Sequence, residues 1–220
     1  MFHFELRRAA SLGVAFVIVL VGLSSARRVV GDESERDKWQ QPDKVMDSIG
    51  VKPGMVIGEA GVGRGYFTFK LAERVGEAGK VFANEISESD LRYIRERCER
   101  EGLRNIETIL GQVEDPLFPK SEMDMVFMVY VLHHLDKPIR FLRNIASSLK
   151  PGATVVLLER DPDKWPPRNK GSHRSYDAGR HDFMPDPIVL KRIKEAGYEL
   201  LKRETFLERD NIYVIRPSSE

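Results

Sequence analysis

Apolar positions fall into two alternating patterns between residues 42 and 158. Short runs of strand length lie at residues 55–58, 80–84, 106–110, 123–131 and 153–158. Between them, three sets recur at helical spacing: Phe67, Leu71, Ala72 and Val75; Leu91, Ile94 and Cys98; and Ile139, Leu142, Ile145, Ala146 and Leu149. Pro42 opens a further helix through Ile49, and Lys52-Pro53-Gly54 turns the chain into the first strand. Gly76 and Gly102 stop two of the helices, and Ser87 with Asp90 has the spacing of an N-terminal cap. Such alternation predicts a parallel sheet covered by helices on both faces.

The alternation breaks after residue 160. Residues 161–187 are polar and contain five prolines. A helix is expected over 188–196, then two strands at 199–206 and 211–215. Only Leu207 to Asp210 join those strands, too few residues for a crossover, so the last pair must be an antiparallel hairpin.

Composition narrows the partners. A chain of 220 residues that is 41% hydrophobic can bury one sizeable core. A net charge of +1 gives no broad electrostatic footprint for nucleic acid, and no such partner is expected. The lone Cys98 excludes an intramolecular disulfide and a cysteine-cluster metal site, so no metal is expected.

Residues 9–26 carry no charge and are bounded by Arg7, Arg8, Arg27 and Arg28. As a helix they would span roughly 27 Å, against a hydrocarbon core of about 30 Å. An uncleaved membrane anchor fits this stretch, and so does a signal peptide cleaved near Ala26. Residues 1–26 are thus an anchor or signal segment, 27–38 a charged linker and 39–216 the folded domain.

The chemistry concentrates at residues 56–67, VIGEAGVGRGYF. An apolar run ends at Glu59, and glycines at 61, 63 and 65 precede a helix, which reads as strand, tight loop, helix. Glycines suit a loop that needs left-handed backbone angles and lets a ligand approach the main chain. The spacing is neither the dinucleotide G-x-G-x-x-G nor the phosphate loop of nucleotide hydrolases. A carboxylate beside the glycines would repel a pyrophosphate and suits a cationic ligand. Glu85, closing the second strand, is placed to accept hydrogen bonds from both hydroxyls of a ribose. Together these features point to S-adenosylmethionine, with a nicotinamide-dependent oxidoreductase disfavoured.

In these residues the chain resembles the class I S-adenosylmethionine-dependent methyltransferases. VIGEAGVGRG, VFANEIS, GQVEDPLF, DMVFMVYVLHHL and LKPGATVVLLE match five motifs in the family's order. The resemblance implies a Rossmann-like, doubly wound α/β fold whose seven-stranded sheet has the order 3-2-1-4-5-7-6, the last pair antiparallel. It also implies that Glu59, Gly61, Gly63 and Gly65 surround the methionine moiety, Glu85 the ribose, and Gln112 and Val113 the adenine. Gln112 stands where the family often has Asp. Tyr130 should lie near the transferable methyl. Its catalytic candidates are His134 and Tyr130; His133 and His134 also suit a structural role. Residues 161–187, with Trp165, His173, Arg174, Tyr176, Arg180 and His181, stand where the family builds its acceptor site. A small-molecule acceptor is expected, and a domain facing the cytosol, where the cofactor is made. The rival from another class is a non-catalytic, membrane-tethered binding module.

Overall fold

The computed structural model describes residues 33–164 and 183–218. Residues 9–26, which carry the anchor and signal expectations, and residues 165–182 of the polar stretch lie outside the described residues. The chain divides into two compact units, Met1–Gln41 and Pro42–Glu220. In the first, residues 33–40 are helical, where the sequence suggested the end of a linker. An Arg36–Gln40 hydrogen bond of 3.0 Å and a Glu35–Lys38 ion pair, both at helical spacing, favour that conformation. Among the described residues no helix is long and apolar enough to cross a membrane.

The second unit begins with α1 (Pro42–Ile49), β1 (Val56–Ala60), α2 (Tyr66–Val75), β2 (Lys80–Glu85), α3 (Glu88–Glu101) and β3 (Ile106–Leu110). It continues with β4 (Met123–Val129), α4 (Pro138–Ala146), β5 (Leu149–Arg160), α5 (Asp186–Glu195), β6 (Tyr198–Glu204) and β7 (Asp210–Pro217). The seven strands form one sheet in the order β3-β2-β1-β4-β5-β7-β6, as expected. The first five pair in parallel, while β7 runs antiparallel to both β5 and β6.

Alternation along the strands sends side chains to two cores. On one face α1 and α2 bury Val45, Met46, Phe67 and Leu71 against Ile57, Phe127 and Val156. On the other, α4 and α5 bury Leu142, Ile145, Val189 and Ile193 against Val126, Val155 and Leu157. Central strands buried on both faces must be apolar at nearly every position, hence the unbroken runs at β4 and β5. Phe67 meets Phe127 edge to face, ring centroids 5.0 Å apart, a pairing worth ~0.5–1.5 kcal/mol beyond area burial. A smaller cluster sets Leu91, Ile94 and Cys98 of α3 against Phe69 and Ala83.

Several boundaries depart from the sequence expectation for local reasons. β1 runs on through Glu59 to Ala60, so the acidic residue lies in the strand. β4 stops at Val129 because Tyr130 takes a left-handed φ of 60°. α4 ends at Ala146 where Ser147 and Ser148 turn their hydroxyls back onto the carbonyls of Asn144 and Ile145. β5 consequently starts at Leu149, with a register shift against β4 between Met123 and Met125. α5 starts at Asp186, earlier than expected, because Pro187 fits the first turn of a helix.

Candidate active site

Parallel order directs the C-terminal ends of β1, β2, β4 and β5 to one edge of the sheet, and the sequence-predicted residues gather there. The loop from Gly61 to Gly65 is tied down by its own backbone: Gly61 and Val62 N–H donate to the Asn84 carbonyl at 2.9 and 3.1 Å. Gly61 has φ 71°, and a Cβ there would stand 2.5 Å from Cγ2 of Val131. Gly65 caps α2 with φ 83°, and its Cβ would meet the Phe69 ring at 2.7 Å. Gly63 differs, because a Cβ there would meet nothing within 4 Å. The loop is therefore packed at its two ends and open at its middle.

Glu59 lies beneath this loop, 3% exposed, and its carboxylate accepts the Thr68 hydroxyl at 2.6 Å. That bond braces the first turn of α2 against β1. Glu85 is the more accessible acid. Its Oε2 accepts the Gly63 N–H at 2.9 Å, and its Oε1 accepts the Ile86 N–H at 2.8 Å and the Ser87 N–H at 3.4 Å. An ionised carboxylate has about four acceptor positions, so Glu85 can hold the loop and still accept from a ligand.

Asn84 is a positioning residue that the sequence reading missed. Its amide donates to the Pro116 carbonyl at 2.8 Å and so anchors the loop after β3. A Cβ at Gly111 would stand 2.2 Å from that amide nitrogen, so any side chain there would displace the Asn84 amide. The loop then closes on itself through reciprocal backbone bonds between Gln112 and Asp115. Val113 and Ile86 are 56% and 58% exposed apolar side chains in this region. Ile86 was also missed; its signal was a large apolar residue directly after the acid that ends β2.

At the end of β4, Tyr130 holds the left-handed backbone conformation, uncommon for an aromatic residue and costing about 1–3 kcal/mol. Its hydroxyl donates to Oδ2 of the buried Asp210 at 2.7 Å, and the Arg160 guanidinium lies 4.4 Å from its ring centroid. The ring is thus held at its edge from β7 and on its face from β5. A short 3-10 turn follows, Leu132–His134. His133 is buried, with Nδ1 2.6 Å from Oε2 of Glu159, while His134 is exposed and packs its ring 4.0 Å from that of His133.

The polar stretch after β5 is fastened at both ends to this edge. Asp161 N–H donates to the Arg209 carbonyl, and Met184 N–H to the Arg160 carbonyl. Lys164 spends its three donors on the carbonyls of Thr205, Leu207 and Asp210, and burial holds its ammonium below the ordinary lysine range. Trp165, His173, Arg174, Tyr176, Arg180 and His181 lie outside the described residues. Among the described residues no group of acidic, His or Cys side chains could hold a metal ion.

Residues 57–152 match the family described as a methyltransferase domain. A ubiquinone/menaquinone biosynthesis C-methyltransferase, UbiE, from Escherichia fergusonii is 30% identical over 176 residues, covering 70% of this chain and 70% of that protein. A tRNA U34 carboxymethyltransferase from Desulfotalea psychrophila is 36% identical over 125 residues, 56% of this chain and 37% of that protein. Across three curated relatives the match spans 62%, 37% and 49% of their own length. A SAM-dependent methyltransferase from Aquifex aeolicus superposes with a TM-score of 0.69 at 24% identity, covering 79% of this chain and 88% of that one, which establishes the shared fold.

Proposed function

Because the chain belongs to the class I S-adenosylmethionine-dependent methyltransferases, we propose that it methylates a small molecule of the quinol kind, an aromatic ring bearing a weakly acidic hydroxyl. The observation that carries the cofactor half is the joining of the open glycine loop to Glu85 through the Gly63 N–H. These residues fit the cofactor. Glu85 keeps one acceptor position, on Oε2, for a ribose hydroxyl, and the open face at Gly63 leaves room for a ligand against the main chain. Ile86 and Val113 offer apolar surface for a purine, and Gln112 can bond its edge. Glu59, Gly61 and Gly65 would shape the methionine end, with Tyr130 beside the methyl.

When bound, the cofactor supplies a sulfonium methyl that passes to an acceptor nucleophile while the C–S electron pair stays on sulfur. The protein's share is to hold donor and acceptor in register, which can supply much of the acceleration of such a displacement. A ring clamped as Tyr130 is, by Asp210 and Arg160, is a wall of fixed position for that purpose.

The acceptor class draws on the quinone relative, and residues 9–26, read as an anchor facing the domain to the cytosol, would bring the chain to a lipid-soluble substrate. The tRNA relative keeps RNA in the comparison, although a net charge of +1 offers it little.

The test has three arms on the full chain. Isothermal titration with S-adenosylmethionine and S-adenosylhomocysteine should show binding; none at millimolar ligand refutes the cofactor assignment. Labelled-methyl transfer should appear in lipid extracts and on reduced 1,4-naphthoquinones, and label confined to RNA would refute the quinol class. The mass of the mature chain in the membrane fraction should retain residues 1–26; a chain starting at Arg27 refutes the anchor.

A further inference from the structure

The apolar run of β4 continues through Val131, and Tyr130 still donates its N–H to the Leu158 carbonyl of β5 at 2.9 Å. The strand nevertheless turns at Tyr130, whose φ of 60° is disfavoured for a residue with a side chain. Such an angle persists only where the surroundings impose it. Carboxylates do so here from both faces of the sheet. Alternation puts Asp210 of β7 on the face of Ile212 and Val214, where Tyr130 also packs, and its Oδ2 accepts the Tyr130 hydroxyl at 2.7 Å. Glu159 of β5 lies on the face of Leu157, and its Oε1 accepts the Leu132 N–H at 2.8 Å.

Between these bonds stands Val131, packed on the Leu157 face. Its Cγ2 lies 2.5 Å from where a Cβ on Gly61 would be, so Val131 fills the space beside the first residue of the glycine loop. The loop is held from its other side, where the Gly61 N–H donates to the Asn84 carbonyl at 2.9 Å. The position of Val131 therefore limits how far the loop can move toward β4.

We propose that Asp210 is a positioning residue for the cofactor: by holding Tyr130 in its left-handed turn, it sets Val131 against Gly61. The assignment rests on the S-adenosylmethionine reading above, in which Gly61 shapes the methionine end. Asp210 is itself fixed. It is fully buried, it stands opposite Arg160 in the β5–β7 pair, and its carbonyl accepts the Lys164 ammonium at 2.9 Å. A clasp serving stability alone would gain nothing from a strained backbone, because the strain opposes the bond that maintains it. The carboxylate acts through geometry and not through its charge, since the phenol proton takes one of its oxygens and a guanidinium residue faces it across the strand pair. Methylated and demethylated cofactor should feel it equally.

The first measurement needs no cofactor. In the full chain with ¹³C-labelled tyrosine, the Cα and Cβ shifts of Tyr130, assigned by difference from Tyr130→Phe, should be those of a left-handed residue. They should move toward extended values in Asp210→Ala; left-handed shifts that persist there overturn the proposal. The second is calorimetric titration with S-adenosylmethionine and S-adenosylhomocysteine, at a temperature where each variant is fully folded by circular dichroism. Asp210→Ala should weaken both ligands by the same factor, roughly fivefold. Tyr130→Phe keeps the ring and removes only the hydroxyl; it should do likewise, and it carries the test if Asp210→Ala fails to fold. The two losses should not multiply in the double variant. In a Val131→Ala background, where the contact with Gly61 is gone, Asp210→Ala should change affinity by less than about twofold. Unchanged affinity, losses that multiply, or a loss confined to the methylated cofactor, the mark of a charge acting directly, each overturn the proposal. A wild-type chain that binds neither ligand refutes the cofactor reading alone, and the shift measurement then decides by itself whether Asp210 holds the turn.

Discussion

Single atoms at the sheet edge explain why certain side chains cannot be exchanged. Glu85 links ligand chemistry to loop geometry, because the carboxylate proposed to meet a ribose is the one that accepts the Gly63 N–H. Glu85→Ala would remove the ribose acceptor and release the middle of the glycine loop together. S-adenosylmethionine affinity should fall by more than tenfold, over about 1.4 kcal/mol, in a calorimetric titration, and an unchanged affinity would overturn the assignment. Glu85→Gln keeps one acceptor oxygen and should fall between wild type and Ala. Gly61, Gly63 and Gly65 were legible as a group from their spacing. Their division of labour was not: two are pressed against Val131 and Phe69 and one is open, a distinction set by residues up to 70 positions away. Asn84 and Gly111 were missed for the same reason, since the contact between them joins the ends of two strands.

Elements formed where local chemistry and burial agreed. α3 illustrates this: Ser87 caps it, with its hydroxyl accepting the Asp90 N–H, and Gly102 closes it in the left-handed conformation, both as read from sequence. Ser87→Ala should destabilise the fold by ~1 kcal/mol, within the range of lost N-caps, measured as a lower urea midpoint with unchanged slope. No shift in midpoint would mean that the cap bond contributes nothing. Boundaries were less legible than elements. The apolar run of β4 continues through Val131, yet the strand stops at Val129 because Tyr130 turns left-handed to reach Asp210, 80 residues ahead. The run at β5 began earlier than its apolar core suggested, because sheet pairing with Met123 recruits Leu149 across the register shift.

At the scale of the molecule, buried titratable groups set the alkaline limit. Burial raises the Cys98 thiol above its ordinary 9.0 and the Tyr198 and Tyr213 phenols above their ordinary 10.0, with the Tyr213–Asp186 bond adding to the last. These groups keep protons in the folded state that the unfolded chain releases. Their stabilisation is complete below the unfolded values and is lost as pH rises through them. Lys164, shifted down, works in the opposite direction in the same range, one group against three. The melting temperature should therefore hold from pH 7 to 8.5 and fall above about pH 10, more gently in Tyr198→Phe with Tyr213→Phe; a melt as high at pH 11 as at pH 8 would overturn this. The sequence by itself determined the fold class, the strand order through its family motifs and the final hairpin. Each is encoded in contiguous residues, where apolar period, glycine spacing and short connections act locally. Only the tertiary structure decided that Glu59 braces α2, that Asp210 and Arg160 fix Tyr130, and that of two adjacent histidines His133 turns inward to Glu159. Those choices are made where β1, β4 and β5 end beside the start of β7, and a chain read in order does not show which distant ends become neighbours.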